Sequence, residues 1–117
     1  MDAGQSFCYL TTTGRRTGTP HTIEIWFAVR GTTMYLMSGG RDGADWVKNI
    51  RADPRVRVGV GDETYEGVAR VLAEATDEDA LARRLMLEKY QPAGSDELRS
   101  WGRSALAVAV DVEGGRA

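Results

Sequence analysis

From Thr22 to Val29 the chain places Ile23, Ile25, Phe27 and Val29 at every second position, and that period of two predicts a half-buried strand. Residues 6–12 (Ser-Phe-Cys-Tyr-Leu-Thr-Thr) precede it as a β-rich first strand. Arg30-Gly31-Thr32 reads as a short turn and Thr33 to Met37 returns as a third strand, so the first three strands predict an antiparallel meander. Arg55 to Val60 alternates again as a fourth strand. Gly61-Asp62-Glu63 is a hairpin-type turn leading into a long fifth strand, Thr64 to Ala73, in which Gly67 predicts a bulge or a bend. Ser104 to Val112 supplies the last strand, ahead of a frayed tail from Glu113 to Ala117.

Two stretches break the period. A short helix is predicted from Ala44 to Ala52, with Trp46 and Ile50 on one face, Asp42 as its N-cap and Asp45 at capping-box spacing. Asp53-Pro54 stops it, because the residue before proline is biased away from the helical region. A second helix opens at Thr76, with Asp77, Glu78 and Asp79 in its dipole-favoured first turn and an apolar stripe of Leu81, Ala82, Leu85, Met86 and Tyr90. Gln91 to Ser95 reads as loop and Asp96 to Trp101 as one further helical turn. Residues 1–117 thus predict one mainly β (α+β) domain, a compact six-stranded antiparallel barrel with two or three inserted helices. Closing six such strands into a barrel leaves no exposed edges.

Composition narrows the partners. A formal net charge of −2 gives no support to nucleic acid as a partner. The single cysteine, Cys8, excludes an internal disulfide and suits a reducing, cytoplasmic setting; it reads as a small buried hydrophobe. One histidine and one cysteine cannot build the common zinc sites, so no metal is expected. No apolar run reaches the roughly 18 residues of a spanning helix, and the N-terminus lacks the pattern of a secretory signal. A soluble domain acting on a small molecule is the expectation.

The chemistry concentrates in Leu10-Thr-Thr-Thr-Gly-Arg-Arg-Thr-Gly-Thr-Pro-His21. Arginine offers forked donors that match phosphate or carboxylate oxygens, and glycines permit the tight turn that presents them. Arg15 and Arg16 therefore read as an anion clamp on a strand end, with Thr12, Thr13 and Thr17 adding hydroxyls; a solvated surface turn is the plainer alternative. A second glycine-rich turn, Gly39-Gly40-Arg41, precedes a helix N-terminus, and the meander should bring both basic turns to one barrel rim. Trp26 and Trp46 are either core or the border of a flat aromatic cofactor. Asn49 shares a helix face with Trp46 and needs a partner for its amide. The roles of His21 and Glu24 stay open. No nucleotide-binding loop and no nucleophile constellation is present, so a bound cofactor that performs the chemistry, such as hydride transfer, is the economical reading.

Together with Tyr35-Leu-Met-Ser-Gly-Gly-Arg41 and Asp45-Trp-Val-Lys-Asn-Ile-Arg-Ala-Asp-Pro54, the arginine turn resembles the deazaflavin (F420)-dependent nitroreductase family of the flavin-binding split β-barrel superfamily, over about Phe7 to Val112. The resemblance implies a split barrel, matching the six strands read above, that transfers a hydride from reduced coenzyme F420 to a small acceptor: a quinone, enone or nitro compound. It implies that Arg15, Arg16 and Thr19 hold the coenzyme's phosphate and acidic tail, with Pro20 shaping the strand entrance. Met37, Ser38, Gly39 and Gly40 would line the deazaflavin ring or its linker, Arg41 would add charge, and Trp46 and Asn49 match the helix that closes over the cofactor. Tyr90 matches a tyrosine beside the substrate, a catalytic hydrogen-bond or proton donor. An FMN-binding split-barrel reductase and a non-catalytic barrel for a cofactor or lipid are the alternatives. Such barrels occur as monomers and as homodimers.

Overall fold

The computed structural model describes residues 1–90 and 104–113. The expected loop at Gln91–Ser95, the helical turn at Asp96–Trp101 and most of the tail lie outside the described residues. Seven strands form one antiparallel sheet: β1 (Cys8–Thr13), β2 (Pro20–Ile25), β3 (Ala28–Arg30), β4 (Thr33–Ser38), β5 (Arg55–Val60), β6 (Glu63–Val71) and β7 (Leu106–Glu113). Helix α1 (Asp45–Ala52) lies between β4 and β5, and α2 (Asp77–Tyr90) follows β6.

The strand count differs from six because the stretch read as one strand is two. Thr22 to Ile25 pairs with β1, whereas Ala28 to Arg30 pairs with β4. The sheet order is β2-β1-β5-β6-β7-β4-β3, so β2 and β3 occupy opposite edges. Only Trp26 and Phe27 separate them. A peptide chain spans at most about 3.5 Å per residue, so the two edges lie close together and the sheet must roll up. The alternation survived the break because Phe27 still points into the barrel; it hid the change of partner.

The barrel interior is filled by Cys8, Leu10, Phe27, Met34, Leu36, Val56, Val58, Val60, Val108 and Val110, with Ile50 of α1 among them. Cys8 is a packed hydrophobe there, and burial pushes its thiol up to about 12. β4 and β7 are buried on both faces. Their outward residues Tyr35, Ala107 and Ala109 pack under Leu81, Ala82 and Leu85 of α2, and Met37 and Ala105 pack with Met86. Small residues on β7 let the helix approach closely, which explains the near-continuous apolar run from Ala105 to Val110.

Two local expectations are revised. Gly67 is no bulge: its neighbours keep unbroken register with both β5 and β7. A side chain there would stand 2.8 Å from Val110 Cγ1 and 3.0 Å from Asp111 O, so the glycine serves close packing. Asp42 does not cap α1, because residues Arg41–Gly43 make a turn of 3-10 helix and Ala44 becomes the cap residue, without a side-chain bond. Asp42 Oδ1 instead accepts from Arg51 at 2.6 Å and 3.1 Å. At α2 the reading holds: Thr76 Oγ1 accepts from Asp79 N at 3.2 Å, satisfying a first-turn amide. Among the described residues, no helix is long and apolar enough to cross a membrane.

Candidate functional site

The loop between β1 and β2 is a closed turn. Gly14 N donates to Thr19 O at 2.7 Å, and Gly18 N donates to Gly14 O at 2.8 Å. Gly18 takes φ +76°, where a side chain would be strained. Gly14 is required for another reason: a Cβ there would fall 2.7 Å from the His21 ring and 3.0 Å from Thr19 O. The turn thus presents Arg15, Arg16 and Thr17 outward while His21 lies across its base.

Helix α1 faces this turn across a groove of about 470 Å³. Arg15, Arg16, Thr17 and His21 line one side, Asp45, Trp46 and Asn49 the other, and Thr12 and Ile23 belong to the strands beneath. The helix is fixed by Val47 and Ile50, both buried on its barrel side.

Asn49 ties the two walls together. Its Nδ2 donates to Thr12 Oγ1 at 3.0 Å, and its Oδ1 accepts from the Arg15 guanidinium at 2.8 Å and from Arg15 N at 3.3 Å. Thr12 and Asn49 are both buried, so each hydrogen bond satisfies a group that water cannot reach. Arg15 also reaches Asp45, with Nη2 3.2 Å from Oδ1 and Nη1 3.5 Å from the Asp45 carbonyl. The expected need of the Asn49 amide for a partner is met by a threonine and by the arginine turn itself. Arg16 has no side-chain partner among the described residues.

The structure brings Arg15, Arg16, Trp46 and Asn49 together and leaves the other expected site residues off the groove lining. Thr19 stands behind two lining residues, its hydroxyl 2.7 Å from Thr17 Oγ1 and 3.4 Å from His21 Nε2, and Pro20 opens β2 beside a neighbouring cleft with Arg55 and Arg57. Met37 is core beneath α2, and Ser38 is buried with its hydroxyl donating to Arg41 O at 3.0 Å. Gly39 and Gly40 are exposed. Arg41 adopts a left-handed φ of 52° and directs its guanidinium to Glu74 and to the Ser104 carbonyl. The two basic turns flank α1, but their arginines face different neighbours.

Tyr90 lies at the end of α2, stacked on Trp26 with ring centroids 4.2 Å apart and planes 7° from parallel. Its hydroxyl accepts from Phe27 N at 3.0 Å and lies 2.7 Å from Ser6 O and 3.0 Å from Phe27 O. Burial, first among its influences, raises the phenol above its ordinary value. The residue therefore staples the point where the chain passes from β2 to β3. Lys89 stands beside it, its ammonium 3.6 Å from the Phe27 ring centroid and donating to Phe27 O at 2.8 Å; desolvation lowers its pKa.

Sequence reasoning left His21 open, placed Ile23 on a half-buried strand and read Asp45 as a capping-box acid; all three line the groove. His21 pairs with Thr12 in the β1–β2 ladder, and its ring fills the space that a Gly14 side chain would need; only the pairing register reveals this. Asp45 carried no signal, since its partner lies far away in sequence.

Residues 3–113 match the family described as F420H(2)-dependent quinone reductase. Among solved structures, an F420-H2-dependent reductase is similar at a TM-score of 0.72 and 23% identity, covering 92% of this chain and 94% of that one. A heme storage protein from Vibrio cholerae is similar at 0.71 and 13% identity, covering 95% and 84%. A FAD-binding protein from Mesorhizobium loti follows at 0.69 and 16%, covering 95% and 82%. At these identities the likenesses show a shared split-barrel fold, while the family match spans nearly the whole chain. The chain belongs to the F420H2-dependent quinone reductase family: it is an F420H2-dependent reductase, and coenzyme F420 is its cofactor.

Proposed function

We propose that the groove between the arginine turn and α1 holds the cofactor's anionic part, and that the protein passes its hydride to a quinone or a similar conjugated acceptor. The observation that carries this reading is the charge and shape of the groove: two arginines and a histidine on one wall, Trp46 and Ile23 offering apolar surface, and a single acid among the lining residues. A ligand that is flat and aromatic at one end and acidic at the other suits such a lining. Bound reduced F420 supplies the hydride; everything else falls to side chains of this protein.

Arg16, without a competing partner among the described residues, binds phosphate or carboxylate oxygens most directly. Arg15 is pre-positioned by Asn49, which restricts the guanidinium's freedom before any ligand arrives. The first turn of α1 adds backbone amides that no side chain caps, a further attraction for negative charge. Trp46 gives a rigid face against which a planar ring can lie while water is excluded. Thr19 and Pro20 set the turn's closure, and the segment Met37–Arg41 carries the chain into α1; we infer that these act through shape rather than through direct charge contact. Tyr90 is the candidate hydrogen-bond donor to the acceptor, a role in which its phenol must trade a backbone contact for the substrate.

The test is turnover. Purified protein mixed with F420H2 should restore the absorbance of oxidised F420 when a naphthoquinone is added, and a panel with an enone and a nitroaromatic compound ranks the acceptors. Activity confined to the enone or nitro compound would displace the quinone reading. Binding of the cofactor with no turnover of any acceptor would leave a carrier rather than a reductase of these substrates.

A further inference from the structure

Asp45 is the one acidic residue that lines the groove, and its carboxylate meets Arg15 there. We propose that this carboxylate is an internal stand-in for the cofactor's anionic group: it occupies the outer face of the Arg15 guanidinium and is exchanged for the ligand's own oxygens on binding. The proposal rests on the reading that the arginine turn clamps the anionic part of F420.

The two partners of Arg15 differ in kind. Asn49 is 4% exposed and anchored to buried Thr12, so it is a fixed acceptor on the protein side. The Asp45 side chain is 86% exposed, against 24% for that of Arg15, so it approaches from the solvent side. Among the described residues, Arg15 is the only side chain holding that carboxylate. An exposed ion pair of this kind is weak in water, so a ligand can displace it at small cost. Asn49 meanwhile retains the guanidinium, and the freed Asp45 turns into solvent. The arrangement keeps Arg15 extended across the groove without a ligand. It also sets a threshold that favours a phosphate or paired carboxylates, which match the guanidinium fork, over a simple monovalent anion.

The expected consequence runs opposite to that of an ordinary binding residue: removing Asp45's charge should tighten the complex. Titration of F420 followed by its fluorescence should show Asp45→Asn binding about two- to fivefold more tightly than wild type, the range a surface pair can supply. Asp45→Glu should restore affinity close to wild type. In an Arg15→Ala background, Asp45→Asn should shift affinity by less than about twofold, because the exchange partner is gone.

Weaker or unchanged binding by Asp45→Asn, with Arg15→Ala and Arg16→Ala both weakened, overturns the exchange while leaving the anion clamp standing. Equal tightening with and without Arg15 also overturns it, since Asp45 then acts by simple repulsion. If Arg15→Ala and Arg16→Ala both bind like wild type, the anion clamp fails and the exchange fails with it.

Discussion

At the scale of single residues, Asn49 does the most with the least. It is buried, its amide is divided between Thr12 and Arg15, and its backbone carbonyl accepts from Asp53 N at 2.8 Å at the helix end. Asn49→Ala would leave the Thr12 hydroxyl without this partner in a place closed to water and release Arg15 from its anchor. Leaving a buried polar group unsatisfied costs about 1–3 kcal/mol, so urea unfolding should show a lower midpoint with an unchanged slope, the two together giving a loss of that size. Part of this was legible beforehand. The sequence pairs an arginine turn with an asparagine on the Trp46 face, but nothing in it states that the two meet, because contact depends on where α1 comes to rest. The position of Arg41 was hidden for the same reason: its partners Glu74 and Ser104 belong to segments far along the chain.

At the scale of elements, period and punctuation located the strands well and their partners poorly. Arg55 to Val60 falls on the expected bounds, as do the turns at Gly31 and Gly61, where φ of 63° and 58° calls for glycine. The passage from β2 to β3 was illegible, since Ile25 and Phe27 keep their alternation while the hydrogen-bonding partner changes from β1 to β4. Tyr90 and Lys89, both bound to Phe27, secure that passage from another element. Gly67 shows the same limit: sequence marks it as special, and only the packed barrel shows that Val110 is the reason. Gly67→Ala should therefore overpack the interior and destabilise the fold by about 1–3 kcal/mol. A thermal melt checks this; a melting temperature equal to wild type would mean the β6–β7 packing yields freely.

At the scale of the whole molecule, the barrel and α2 are joined at the surface by one cluster of charges. Arg70 on β6 donates to Glu78 of α2 at 2.6 and 2.8 Å and to Asp111 of β7 at 2.6 and 3.0 Å. Tyr35 and Thr33 of β4 add bonds to the same two carboxylates at 2.9 and 3.0 Å. Hydrogen bonding to Arg70 is the first cause that holds both carboxyls below their ordinary values. A depressed folded-state pKa contributes stability that is complete above the unfolded value and fades as pH falls through the folded one. Stability should therefore be level near neutrality and decline below about pH 4, where carboxylates of unfolded chains ordinarily titrate. Solvent exposure keeps the effect small, and added salt should shrink it further. Acid titration of the unfolding midpoint at low and high salt tests this, and an Arg70→Ala variant should show a flatter acid limb.

The same rolled sheet that seats α2 on its outer face leaves a groove between the β1–β2 turn and α1, which we propose for the cofactor. The claim that matters most is that Arg16, the arginine of this groove with no protein partner among the described residues, holds the cofactor's negative charge. Fluorescence titration of F420 with wild type and Arg16→Ala measures it directly. A charge-assisted hydrogen bond contributes about 1.5–3 kcal/mol, so the variant should bind roughly ten- to a hundredfold more weakly. The wild-type affinity should also fall as salt rises, and more steeply than that of the variant. Equal affinities with equal salt dependence would contradict the account and make the arginine turn a solvated surface feature.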